Sequence, residues 1–126
     1  MSVVTNVILT FSMMEDEEPI LAAINAFDGF YNSDDRFIAP TEEVACQCHG
    51  GTRAIERHIL VAAFNHFSAS DFRKHLLTVP WYEPDAVQVM VCEQDQATFS
   101  IWSLWDDRRG FRWIKAKCHP FDEDEL

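Results

Sequence analysis

Cysteine and histidine side chains gather at two places in the sequence, and residues of these types can bind a metal ion or supply a nucleophile. Cys46, Cys48 and His49 are close neighbours, and Cys118 and His119 are adjacent near the other end of the chain. Thiolates and imidazoles are the ligands that tetrahedral zinc prefers. If residues 46–48 are extended, both thiols point to one side of the chain, as a shared ion requires. These residues are therefore a candidate zinc site.

The cysteine spacing also leaves other interpretations open. Structural zinc sites usually place about two to four residues between paired cysteines, whereas only Gln47 separates Cys46 from Cys48. The thiols could instead be small buried side chains. A cysteine nucleophile activated by a nearby histidine is a further interpretation, but no local signature fixes which histidine would approach. No phosphate loop, dinucleotide-binding glycine pattern or nucleophile elbow occurs, so the sequence favours a non-catalytic protein over an enzyme.

Tryptophans in the C-terminal part form a second candidate site, of the kind that binds a protein. Trp102, Trp105 and Trp113 are close in sequence, and large aromatic rings anchor interfaces as well as cores. A basic stretch, Arg108–Lys117, precedes an acidic tail that folds back on it, meets a basic partner or is simply solvated. The candidate partner-binding residues are Trp102, Trp105, Trp113, Asp122, Glu123, Asp124 and Glu125.

The charge of the chain indicates what kind of partner it has. Asp and Glu number 21 against 10 Lys and Arg, which gives a formal net charge of −11. This balance opposes direct binding to nucleic acid or to an anionic membrane, because such binding needs cations to neutralise phosphates. We expect a basic protein partner, as for an inhibitor, an immunity factor or a phage-encoded blocker of a nucleic-acid-binding protein. The alternatives are a zinc- or thiol-dependent enzyme or sensor and a small-molecule binding domain.

Length and composition predict one domain spanning residues 1–126, with an acidic tail at 119–126. With 126 residues, of which 48% are hydrophobic, the chain has enough apolar content for its own core. The first residues, Met1–Met14, carry no Lys or Arg, unlike a secretory signal. The longest apolar run, Ile59–Phe64, is far too short to cross a bilayer. We therefore expect a cytoplasmic protein with reduced thiols.

The pattern of apolar residues predicts strands and helices in a definite order. Val3–Phe11 is β-branched and apolar on both parities, as in a central strand, and a helix follows from Pro19 to Gly29. Phe37–Ala39 suits a short strand, and His58–Phe64 suits a longer one. Ser68, followed three residues later by Asp71, predicts the start of a second helix that ends at Pro80.

The C-terminal part of the pattern predicts a meander of strands. Val87–Val91 and Phe99–Ile101 alternate as in a hairpin, and Phe111–Lys117 can form one more strand. The order β-α-β-β-α-β-β-β predicts a ferredoxin-like sandwich, with two helices on one face of a mainly antiparallel sheet and extra C-terminal strands. Both faces of the hairpin carry apolar residues, so the second face is either a surface for a partner or a homodimer, or a face that the acidic tail or a further layer of structure covers.

Four short blocks of the sequence resemble a known group of proteins. Val4–Phe11, Ala62–His66, Pro80–Pro84 and Val87–Val89 are similar to segments of small uncharacterised α+β proteins of actinobacteria and their phages. The resemblance covers about half of the chain. It implies the architecture alone, because the group has no established activity to carry over.

Overall fold

The structure of the protein is a computed structural model, which describes residues 4–38, 57–107 and 110–116. In these ranges it contains two α-helices and a five-stranded antiparallel sheet, which confirms the predicted α+β class. A 3-10 turn, Pro84–Ala86, precedes the third strand. In chain order the elements are β1 (Val4–Ser12), α1 (Glu17–Asn25), β2 (Arg57–Asn65), α2 (Ala69–Leu76), β3 (Gln88–Glu93), β4 (Ser100–Asp107) and β5 (Gly110–Lys115).

The strands lie in the order β2-β1-β3-β4-β5, and each is antiparallel to its neighbours. β1 pairs with β2 over its whole length, from Val4 opposite Asn65 to Ser12 opposite Arg57. β3 pairs with the other side of β1, so the prediction of a central first strand is confirmed. The last three strands follow one another across the sheet as the predicted meander.

The short strand predicted over Phe37–Ala39 is reduced, within the described residues, to one bridge. Ile38 pairs with Val61 of β2 in the antiparallel sense, and the amide of Val61 donates to the carbonyl of Ile38 over 3.4 Å. Ala39 lies outside the described residues. The bridge places Ile38 beside β2, on the side away from β1.

Both helices pack on one face of the sheet and enclose the core there. Val7, Leu9 and Phe11 of β1 point into this core and are at most 1% exposed. They belong to one apolar cluster with Ile24 of α1 and Phe72 of α2. Because strand side chains alternate, the residues between them point to the opposite face, called here the outer face. Six contacting rings with centroids 4.8–6.4 Å apart fill one end of the core: Phe27, Phe30, Phe37, Phe64, Phe67 and Phe72.

Helix α1 is shorter than the sequence pattern predicts. The pattern extends to Gly29, but α1 ends at Asn25 with Ala26 as its C-cap. The Asn25 side chain donates to the carbonyl of Phe37 over 3.0 Å and accepts from the amide of Phe37 over 2.7 Å. These two bonds tie the end of the helix to the returning chain. Phe27, predicted on the helical face, is still buried, but from the turn that follows α1.

Helix α2 begins where the sequence predicts and ends earlier. Ser68 is the N-cap, and its hydroxyl accepts a hydrogen bond from the amide of Asp71 over 3.2 Å, so the predicted cap is confirmed. Phe72 and Leu76 form its buried face. The helix ends at Leu76, and Val79 is buried from the turn that follows. Neither of the described helices combines the length and apolar character needed to cross a membrane.

Candidate functional site

The predicted metal ligands cannot be placed on the fold. Cys46, Cys48, His49, Cys118 and His119 all lie outside the described residues. Within residues 4–38, 57–107 and 110–116, no three His, Cys, Asp or Glu side chains are grouped as a metal site requires. The zinc interpretation and the cysteine-nucleophile interpretation therefore stay predictions.

The three predicted tryptophan anchors do not share one surface. Trp102 pairs with Lys115 and Trp113 with Leu104, and Leu104 is part of the buried core, so Trp102 and Trp113 lie on the helix-covered face. Trp105 has the opposite parity in β4 and is 50% exposed on the outer face. The acidic tail residues Asp122, Glu123, Asp124 and Glu125 lie outside the described residues.

Trp102 and Trp113 close the edge of the core beside α2. The indole nitrogen of Trp113 donates to the carbonyl of Arg73 over 2.8 Å, and both rings pack against the core cluster. The guanidinium of Arg73 lies 3.7 Å from the centre of the Trp102 ring, and the ammonium of Lys115 lies 5.6 Å from it. Cations stacked on an indole stabilise this arrangement. Trp102 and Trp113 therefore hold β4 and β5 against α2.

A buried carboxylate at the end of β1 organises a surface that the sequence does not reveal. Glu15 is only 5% exposed, although it stands in the acidic run before α1. Its carboxylate accepts from the amide of Tyr82 over 2.9 and 3.0 Å and from the amide of Glu83 over 2.8 Å. Hydrogen bonds to an ionised acceptor are stronger than neutral ones. Glu15 therefore fixes the loop before β3 against the turn that precedes α1.

This contact brings two acidic segments together. It joins the run before and within the first turn of α1 to the loop that leads into the 3-10 turn at Pro84–Ala86, and both segments carry carboxylates. Large apolar side chains stand exposed among them: Tyr82 is 72% exposed, Met14 65% and Met13 54%. We call this surface the acidic patch, and its members are Asp16, Glu17, Glu18, Glu83 and Asp85 with Tyr82, Met13 and Met14.

Few described cations offset the charge of the acidic patch. His58 Nδ1 lies 3.4 Å from the Glu17 carboxylate, and the His58 ring stacks on Phe11 with centroids 5.0 Å apart. The guanidinium of Arg57 donates to the hydroxyl of Thr10 and to the carbonyl of Ala86, next to the patch. Carboxylates at a helix N-terminus are also stabilised by the helix dipole. The patch therefore keeps an excess of negative charge around its exposed apolar side chains.

The sequence pointed to only part of this surface. The acidic run at residues 15–18 is visible in the sequence, but it resembles any solvated helix start. Nothing in the spacing links Glu15 to Tyr82, because these residues are 67 positions apart. Met13 and Met14 were not among the predicted anchors. Their role follows from a contact that forms only in the folded chain.

The outer face of the sheet carries a continuous row of apolar side chains. The strand register aligns Val61 with Ile8, Ile8 with Met90 and Met90 with Ile101, and the bridge adds Ile38 at the edge. Ile38 is 53% exposed and Val61 42% exposed, while the other three are half-buried. Of the two helices in the described part of the chain, neither contributes to this face, because both pack on the other side.

A groove lies on the helix-covered side, between the start of α2 and the strands β3 and β4. Its volume is about 340 Å³, and Phe67, Ser70, Arg73, Glu93, Ser100 and Trp102 are among the residues that line it. Burial lowers the pKa of the Arg73 guanidinium through desolvation. No hydrogen bond or ion pair to another described residue engages this guanidinium, which rests on the Trp102 ring. The groove thus holds a partly desolvated cation, and three serines and the Glu93 carboxylate are among the other residues that line it.

Comparison with known proteins finds no matching family model, no matching curated protein and no matching solved structure.

Proposed function

We propose that this chain is a non-catalytic interaction domain that binds a basic protein partner through the acidic patch. The main observation in support is the Glu15 carboxylate, which joins two acidic segments through the backbone amides of Tyr82 and Glu83 and leaves the Tyr82 side chain exposed. An inhibitor, an immunity-type protein or a phage-encoded blocker of a nucleic-acid-binding protein acts in this way. Clustered carboxylates can occupy a surface that is built for phosphates.

The composition of the patch supports binding by both charge and burial. Surface carboxylates mainly raise the rate of association and select the partner, whereas buried aromatic and Met side chains supply most of the affinity. Tyr82 and Met14 are among the most exposed large apolar side chains in the described part of the chain, at 72% and 65%. The patch therefore provides anchors as well as charge.

The position of Tyr82 also supports the proposal. Its backbone amide is held by Glu15, and the neighbouring Trp81 ring is buried, with its indole nitrogen bonded to the carbonyl of Leu76 over 2.9 Å. A residue whose backbone is fixed loses less conformational entropy on binding than one in a mobile loop. The loop thus presents the Tyr82 side chain from a rigid base.

Capture from cell lysate tests this proposal when wild type is compared with two variants of equal charge. The patch variant carries D16N, E17Q, E18Q, E83Q and D85N, whereas the control variant carries D28N, D34N, D71N, E93Q and D95N at exposed positions elsewhere. We expect wild type and control to retain the same identified basic protein at about 0.05 M salt and to release it at about 0.5 M salt. The patch variant should not retain it.

The equal charge of the two variants separates the patch from the net charge. If both variants lose the partner alike, general electrostatic attraction explains the capture and the patch does not. If wild type retains no basic protein at low salt, the proposal is wrong. Binding of the purified partner by calorimetry should then show at least about a tenfold loss of affinity for Y82A as well, because exposed aromatic anchors carry much of an interface.

We further propose that the fold is the ferredoxin-like sandwich predicted from the sequence. The support is the bridge between Ile38 and Val61, which puts residue 38 parallel to β1 with β2 between them. A helix joining two parallel strands that are separated by a third is the split β-α-β unit of that sandwich. Strands β4 and β5 then extend the sheet beyond β3. The resemblance to small actinobacterial and phage proteins implies the same architecture and stays a proposal.

Binding of a small carboxylate in the groove is a second candidate function, favoured by the Arg73 guanidinium, which makes no hydrogen bond or ion pair to another described residue. A planar guanidinium matches a carboxylate in two-point hydrogen bonding, and the groove volume is within the range of small-ligand sites. A thermal-shift screen of small organic carboxylates tests it. At ten times its dissociation constant, a ligand should stabilise the protein by about 1.4 kcal/mol.

The groove hypothesis has its own control in the neighbouring residue. R73Q should abolish the thermal shift, whereas K74Q should retain it, because Lys74 is exposed and does not line the groove. If no carboxylate raises the melting temperature of wild type, or if R73Q responds equally, this second candidate is wrong.

A further inference from the structure

We infer that the outer face of the sheet is the interface of a symmetric homodimer. The occupant of this face is thus a second copy of the chain. The acidic patch lies in loops and at the start of α1, so the two surfaces are distinct and the inference does not depend on the proposed function.

The apolar row is the first observation that carries this inference. Ile38, Val61, Ile8, Met90 and Ile101 lie side by side across four strands and the bridge at the edge; Ile38 is 53% exposed and Val61 42%, and the other three are half-buried. Trp105 and Ile114 extend the apolar surface toward β5, at 50% and 43% exposure. A contiguous apolar surface of this extent marks an association site rather than an ordinary protein surface.

The charge of the outer face is the second observation, and it identifies the occupant. The chain has 21 Asp and Glu residues, yet among the described strands the register places none of them on this face in β1, β2, β3 or β5, or in β4 from Ile101 to Trp105; Asp107, the last residue of β4, shares the parity of Trp105. Arg57 and Arg112 stand near its ends. Two copies with a net charge of −11 repel each other wherever their carboxylates meet. From β2 across to Trp105 of β4, the register places no carboxylate on the outer face for a second copy to meet.

Three polar side chains of the outer face have a hydrogen-bond partner within the chain. Gln88 donates to the hydroxyl of Ser103 over 3.3 Å, and Asn6 donates to the carbonyl of Cys92 over 3.2 Å. The Thr10 hydroxyl accepts from Arg57 over 3.0 Å. One of the two N–H donors of each amide group is therefore already bonded, which lowers the cost of covering Gln88 and Asn6, because a buried donor without a partner costs about 1–3 kcal/mol.

The size of the face agrees with a dimer that uses all of it. Five strands spaced by about 4.8 Å, with a mean length of about 25 Å, give a projected area of about 600 Å² on each copy. Two copies together then bury about 1,200 Å², which is the lower end of the range for specific protein interfaces. Because β3 is the middle strand, a two-fold axis passing near Met90 superposes the two faces completely.

Sedimentation equilibrium at increasing salt tests the dimer. We expect wild type to form a dimer whose dissociation constant falls as salt rises, because salt screens the repulsion between two like-charged copies. M90E should raise the dissociation constant at least about 30-fold, because it places two carboxylates against each other at the axis. V61E is the second variant, because Val61 is 42% exposed in β2 and a glutamate there can stay in contact with water in the folded monomer. It should weaken the dimer in the same direction.

M14E is the matched control, because Met14 is 65% exposed and belongs to the acidic patch rather than the outer face. It should dimerise as wild type does. A chain that stays monomeric at about 0.1 mM in high salt overturns the inference and leaves the face to a different protein. A dimer that persists in both M90E and V61E overturns it too. Neither result affects the acidic patch, whose own test predicts binding that weakens with salt.

Discussion

Replacing Phe72 by alanine is expected to lower the free energy of unfolding by about 3–5 kcal/mol, which is a large part of the stability of a domain of this size. Phe72 is 1% exposed and projects from α2 into the ring cluster. Its centroid lies 5.0 Å from that of Phe37 and 5.3 Å from those of Phe27 and Phe67. The F72A variant loses these contacts and leaves a cavity that rigid neighbouring rings cannot fill.

Denaturant unfolding, followed by tryptophan fluorescence, measures this effect through the transition midpoint at constant slope. The melting temperature should fall by roughly 10–20 °C. F111A is the control, because Phe111 in β5 is 37% exposed. This substitution should lower the free energy of unfolding by about 1 kcal/mol or less. If F72A costs no more than F111A, the ring cluster does not hold α2 on the sheet as the structure indicates.

Replacing Glu15 by alanine is expected to lower the free energy of unfolding by about 2–3 kcal/mol and to release the loop that carries Tyr82. The carboxylate accepts bonds from two backbone amides, at 2.8 and 2.9 Å, and E15A leaves both amides without their acceptor. E15Q keeps one oxygen as an acceptor but turns an NH2 group toward the loop amides. The loss of stability in E15Q should therefore be smaller than in E15A but not zero.

Hydrogen exchange provides a readout that reports on the loop itself. In E15A, the amides of Tyr82 and Glu83 should exchange much faster, while those of β1 should change little. E18Q is the matched control, because Glu18 is exposed in the same acidic run, and its effect on stability should stay within about 0.5 kcal/mol. Unchanged exchange at Tyr82 in E15A would contradict the assignment of Glu15 as the group that fixes the acidic patch. It would also remove the structural basis of the proposed partner site.

The two proposed surfaces respond to salt in opposite directions. Binding of a basic partner at the acidic patch should weaken as salt rises, because the attraction between opposite charges is screened. Association through the outer face should strengthen, because the repulsion between two acidic copies is screened while apolar burial is retained. A salt titration of one protein preparation can therefore separate partner binding from dimerisation without any substitution.

Periodicity in the sequence predicted the elements better than their ends. The apolar β-branched run of β1, the capping pattern at Ser68 and the alternation in β3 all depend on contacts with neighbours in the chain, and the structure confirms them. The ends of the helices were predicted too far along the chain, by four residues for α1. The reason is that Phe27 and Val79 are buried from turns, so burial continued the apolar pattern beyond the helical hydrogen bonds.

Some features of the candidate site could likewise be predicted from composition and short spacings, whereas others depend on contacts between distant parts of the chain. Composition alone determined the strong acidity, and with it the expectation of a basic protein partner, because charge is a sum over residues and needs no fold. The parity of residues along a strand also predicted that the C-terminal hairpin is apolar on both faces. Parity also puts Trp102 and Trp105 on opposite faces, but it did not predict that Trp102 closes the core beside Arg73 while Trp105 stays 50% exposed.

The acidic character of this protein, its α+β class and its central first strand were thus determined by the sequence itself, since each follows from residue types and short spacings. The acidic patch and the row across the outer face were decided only by the tertiary structure. Both join residues that are far apart in the chain, such as Glu15 with Tyr82 and Ile8 with Met90. Contacts of this kind depend on strand pairing and loop placement, which no local pattern encodes.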